Sequence, residues 1–100
     1  MSTTLEQTLR VLRANSDSLR AKGVRHAAVF GSVARGGSRD DSDVDVLVEV
    51  DTAKHIGLFG YAGIQLALNE LIGRKVDVAD AATLKPIVRE EIMREKVDAF

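Results

Sequence analysis

Apolar positions fall at helical spacing in some stretches of this chain and at strand spacing in others, with glycines and acids marking the changes. Leu5, Leu9, Leu12 and Leu19 recur at helical intervals behind Thr3 and Glu6, whose separation of three is a capping box. Arg10, Arg13, Asp17 and Arg20 fall mostly elsewhere on that wheel, and Gly23 is placed to end the helix. Val24 to Phe30 reads as a first strand stopped at Gly31, and Val44 to Val50 as a second. A short helical turn at Val33-Ala34-Arg35 fits the connection between them. If the two strands pair, they run antiparallel and bring Gly31 and Asp43 to the same end.

Residues 51 to 57 read as loop. Leu58, Tyr61, Gln65, Leu68 and Ile72, with Ala62, Ile64 and Leu71 beside them, then predict a helix closed by Gly73. Gly57, Gly60 and Gly63 line one face of it. Each glycine costs about 1 kcal/mol relative to alanine in a helix interior, so a late or frayed start is expected in preference to a groove for another backbone. Lys75 to Ala79 is a third strand, and the strand-helix-strand path from 44 to 79 predicts a parallel crossover. Pro86 opens a last helix to about Lys96 with Ile87, Val88, Ile92 and Met93 as its inner face. Val97 to Phe100 adds a short strand. The predicted fold is α/β (α+β): a small mixed β-sheet with helices packed against it.

One hundred residues suffice for one modest core, so residues 1–100 are read as a single domain. Fourteen basic and 15 acidic residues leave a net charge of -1, a poor footprint for direct nucleic-acid binding. There is no cysteine, which excludes disulfides and thiolate metal sites. No apolar run approaches the roughly 20 residues that span a bilayer, and the N-terminus lacks the apolar core of a signal peptide. The expectation is a cytoplasmic protein with no membrane contact.

The second strand changes the picture. Side chains alternate across a strand, so Asp43 and Asp45 share one face while Val44, Val46, Val48 and Val50 share the other. Two carboxylates about 5 Å apart repel by roughly 3 kcal/mol at an effective dielectric of about 20. A divalent cation would relieve that repulsion. An EF-hand loop starting at Asp41 fails, because Val46 and Thr52 stand where glycine and an acid are needed. A Walker-type loop fails as well, since Gly31 to Gly37 lack the closing lysine. Asp40, Asp41 and Ser42 read as a solvated turn. His26 and His55 lack partners at ligand spacing, and Tyr61 reads as core or groove lining.

Gly31-Ser32, ten intervening residues and Asp43-Val44-Asp45 resemble the signature of the DNA polymerase beta-like nucleotidyltransferases. The strings Gly31-Ser32-Val33-Ala34-Arg35-Gly36 and Ser42 to Val48 resemble their minimal (MNT-type) branch. Gly73 to Val78 is similar to that branch's third-acid strand and Ile92 to Glu95 to its final helix. The resemblance implies a polymerase beta palm-like fold and transfer of AMP from ATP with magnesium, in a two-metal site. It implies that Asp43, Asp45 and Asp77 hold the metals, with Asp77 also placed to take the acceptor's proton. Asp77, flanked by valines and aligned with the motif, is preferred to Asp80 as the third acid. Gly31 would let the backbone reach the triphosphate, and Ser32 would donate to its phosphates. Arg35 either neutralises a phosphate or pairs with Asp40 or Asp41.

Members of the minimal branch are commonly antitoxins of HEPN-type ribonuclease toxins and transfer AMP to a toxin tyrosine. The resemblance therefore implies a HEPN-type toxin partner in a hetero-oligomer. The alternatives are an antitoxin that neutralises by binding alone, and transfer to a small molecule of the aminoglycoside kind.

Overall fold

The computed structural model describes residues 3–36 and 43–100, so the turn expected at 40–42 lies outside the described residues. Thr3 caps helix α1 (Thr4–Ala14), its Oγ1 accepting from the Glu6 N–H at 3.1 Å. The helix expected to run on to Gly23 is instead two. Asn15 donates its side-chain amide back to the Val11 carbonyl at 2.8 Å and leaves helical geometry, and α2 (Ser16–Ala21) follows as a separate helix. Asparagine is prone to this because its short amide competes for backbone groups.

Strands β1 (Val24–Phe30) and β2 (Val44–Val50) pair antiparallel, joined in part by the short helix α3 (Gly31–Ala34). A 3-10 turn (Thr52–Lys54) leads to α4 (Gly57–Ile72), which crosses to β3 (Val76–Asp80), parallel to β2. Helix α5 (Pro86–Glu95) leads into β4 (Val97–Asp98), antiparallel to β1. The sheet is mixed, with β2 and β3 parallel as the crossover predicted, and its order is β3-β2-β1-β4. Gly73 ends α4 at φ 75°, a backbone region in which a side chain is unfavourable.

The expected fraying of α4 is not found. The helix is continuous from Gly57, and Gly60 serves a close contact: a Cβ there would stand 2.5 Å from the Ile56 Cβ. A Cβ on Gly23 would meet the Ile56 Cγ2 at 2.7 Å, so the two glycines flank one isoleucine. Gly63 has open space and no such role.

One face of the sheet is sealed. Val29, Val44, Val46, Val48 and Val76 pack there with Leu9, Leu12, Leu19, Ile64 and Leu68 from α1, α2 and α4. The other face carries a smaller cluster of Ala28, Leu47, Ala81 and Ile92 beneath α5, with Phe30, Ala79 and Leu84 at its edge. Of the four residues expected on the inner face of α5, only Ile92 is buried; Ile87, Val88 and Met93 are exposed. Leu58, at the start of α4, is exposed too. Both helices rest on the sheet over less of their length than the apolar pattern suggested. Among the described residues no helix is long and apolar enough to cross a membrane.

Candidate active site

The acids lie on the thinly covered face. Asp45 stands in register with Phe30 on one side and Asp77 on the other, so two carboxylates occupy adjacent places on neighbouring strands. Paired strands lie about 4.8 Å apart, close enough for their charges to be felt directly. Asp43 sits one residue before β2, where the Val44 N–H donates to the Lys75 carbonyl at 3.1 Å and ties the mouths of β2 and β3 together. The Asp43 carboxylate is drawn toward Lys75, 3.6 Å away.

Gly31 meets Asp45 from the β1 side. Its φ of +72° is left-handed, and a Cβ built on it would stand 2.1 Å from Asp45 Oδ2. Glycine is therefore required twice over, by the backbone and by the acid. Val33 anchors the following turn in the sealed core, which leaves Ser32 half-buried and Arg35 exposed. Gly31, Ser32 and Asp45 are thus brought to one corner.

The electrostatics report the crowding. Burial, first, and then the charges of Asp77 and Asp43 push the Asp45 carboxyl above its ordinary value; Arg35 offsets this and Glu95 adds to it. Three hard oxygen donors that repel one another across an open face suit a hard divalent cation. Among the described residues no three His, Cys, Asp or Glu side chains surround a common point, so the register brings Asp45 and Asp77 together without gathering all three acids. The Asp43 carboxylate lies toward Lys75.

Asp40 and Asp41, the acidic partners expected for Arg35, lie outside the described residues. The Arg35 guanidinium pairs with Glu95, Nη1 to Oε2 at 3.1 Å, and the other oxygen of Glu95 accepts from the Gly31 N–H at 3.3 Å. Glu95 was expected only as the end of the last helix. It is 64 residues from Gly31, and no local spacing signals the contact.

Asp80, the competitor of Asp77, is engaged elsewhere. It lies at the far end of β3 opposite Val48, accepting from the Tyr61 hydroxyl and from the Ala82 N–H. A cleft of about 790 Å³ opens at that end, with His55, Tyr61, Asp80 and Arg89 among its lining residues. None of the acids 43, 45 and 77 lines it. His26 and His55 are exposed and remote from the acidic corner.

Residues 10–99 match the family model of the nucleotidyltransferase domain. The protein adenylyltransferase MntA of Thermococcus cleftensis is 36% identical over 95 residues, with 94% of each chain covered. A solved structure assigned as a minimal nucleotidyltransferase is 38% identical, with a TM-score of 0.70 and coverage of 89% of this chain and 93% of that one. The fold also recurs, at 14% identity and a TM-score of 0.64, in a complex of a tri-AMPylated HEPN toxin of Shewanella oneidensis with MNT antitoxin; 92% of this chain and 71% of that one are covered. With the glycine corner and paired acids in place, the chain belongs to the nucleotidyltransferase domain family, in its minimal branch.

Proposed function

We propose that residues 1–100 form one protein adenylyltransferase domain. It moves AMP from ATP onto a tyrosine hydroxyl of a HEPN-type toxin, so acting as that toxin's antitoxin in the cytoplasm. The observation that carries this reading is the contact of Gly31 with Asp45, which puts a side-chain-free backbone directly against the acid pair. The likeness to an adenylyltransferase over nearly the whole chain supports AMP as the group moved. The likeness of fold to an antitoxin bound to a modified HEPN toxin supports the acceptor.

Asp43, Asp45 and Asp77 would hold two magnesium ions, which when bound neutralise the triphosphate and the departing pyrophosphate. Gly31 and Ser32 hold the terminal phosphates by their N–H and hydroxyl groups, and Arg35 supplies a positive charge beside them. The acceptor oxygen forms a bond to the α-phosphorus as the bond from that phosphorus to the β-bridging oxygen breaks. Pyrophosphate carries away the electron pair. Asp77, exposed at the mouth of β3, takes the phenolic proton and passes it to water. Most of the rate comes from alignment and fixed charge, which the strand register supplies.

The test is transfer of label from ATP labelled in its AMP moiety to the product of the neighbouring gene, with magnesium present. Labelling of a partner tyrosine is expected. Its loss, by about a thousandfold or more, is expected in the Asp43→Asn, Asp45→Asn double variant. A double variant that still labels the partner removes the transfer reading. One that labels nothing yet still silences the toxin replaces transfer with neutralisation by binding.

A further inference from the structure

We propose that Glu95 is a resident anion of the nucleotide site: its carboxylate occupies the donors that receive the triphosphate, and it must swing away for ATP to bind. This rests on the reading of Gly31 and Arg35 as phosphate-binding groups. The two oxygens of Glu95 are divided between the Gly31 N–H and the Arg35 guanidinium. That is how a phosphate would use the same pair of donors, one oxygen to each. Glu95 is not held there by its own neighbours so much as delivered there. Ile92, buried against Ala28, Leu47 and Ala81, fixes α5 on the sheet, and Glu95 follows at the last turn of the helix above the glycine corner.

A strut that fixes Arg35 in place is the competing role, and the geometry speaks for exchange. The bond to Gly31, at 3.3 Å, is long for an N–H donor. The Arg35 and Glu95 side chains are 60% and 33% exposed, so their ion pair is screened and contributes little. A triphosphate can displace such a carboxylate at small cost. Glu95 ends its helix, so it can turn to water without moving the sheet. The same competition works in reverse after transfer. When pyrophosphate loosens, Glu95 returns to Gly31 and Arg35 and opposes its rebinding.

The experiment measures binding of inorganic pyrophosphate, without divalent metal, by titration calorimetry on the full chain. Wild type, Glu95→Gln and Arg35→Ala are compared. Glutamine keeps the shape and an acceptor but removes the charge, so Glu95→Gln is expected to bind pyrophosphate roughly fivefold more tightly, with the gain shrinking as salt is raised. Arg35→Ala is expected to bind more weakly than wild type. Unchanged or weaker binding in Glu95→Gln, with Arg35→Ala impaired, overturns the resident-anion role and leaves the phosphate site standing. Binding in no variant, or binding indifferent to Arg35→Ala, overturns the phosphate site and the role of Glu95 together.

Discussion

The two faces of the sheet are built to opposite ends from one strand. Val44, Val46 and Val48 of β2 disappear beneath α1, α2 and α4. On the other side Asp45 stands in a half-open corner, Leu47 lies under α5, and Glu49 reaches solvent. The sealed face holds the fold and the open one holds the charge. A strand's period of two keeps these tasks apart, and a slip of one residue would put the acids in the core. Stability and chemistry therefore separate at neighbouring residues rather than at distant ones.

That separation can be attacked most forcefully from the sealed side. Leu68 is fully buried among the valines of the sheet. Leu68→Ala should cost about 2–5 kcal/mol, a large part of the roughly 5–15 kcal/mol that a domain has to lose. Urea unfolding reads the loss as a lower midpoint. AMP transfer measured well below that midpoint should stay near wild type, and a matching collapse of activity in folded protein would show that the faces are not independent.

Gly31→Ala strikes the boundary between them. The left-handed backbone and the 2.1 Å approach to Asp45 both resist a methyl group. A stability cost of about 1–3 kcal/mol is expected. Displacing Asp45 by about 1 Å should lower transfer on the order of a hundredfold, far more than the fold's loss alone would produce. Equal and modest effects on both would place Gly31 with the core instead of the site.

The sealed face was the legible one. The apolar stretch from 24 to 30 and the alternating valines from 44 to 50 predicted two strands that the structure shows, and the crossover through α4 predicted the third. Helix patterns misled in α4 and α5. The reason for Gly60 is Ile56, only one turn earlier, where three-residue glycine spacing suggested fraying instead. The apolar Ile87 and Val88 promised burial that α5, touching the sheet mainly through Ile92, does not provide. In the site, the spacing of Gly31, Asp43 and Asp45 was legible because one hairpin carries all three. The placement of Asp77 on a strand was legible through its valine neighbours, and its register with Asp45 follows from the parallel crossover. Glu95 was not, because its place depends on where a helix 60 residues after Arg35 happens to end.

The smallest effect is the most direct test of what the open face costs. The Asp45 carboxyl is raised from 3.8 by burial and by Asp77 and Asp43, with Arg35 opposing and Glu95 adding. A raised carboxyl means that the folded chain binds more protons than the unfolded one between 3.8 and the folded value. Stability therefore falls as pH rises through that window, and above it the repulsion stands as a constant burden. Asp45→Asn removes the burden. With EDTA at pH 7 it should melt higher than wild type by roughly 1–2 °C, discounted for the solvent that reaches the group. The advantage should shrink on acidification and close once Asp45 is protonated in both states. Magnesium should raise the wild-type melting temperature by binding the folded form and should do less for Asp45→Asn, narrowing or reversing the difference. A wild type that already melts at or above the variant in EDTA would mean that the three acids do not strain the fold, and the physical case for a cation among them would lose its footing.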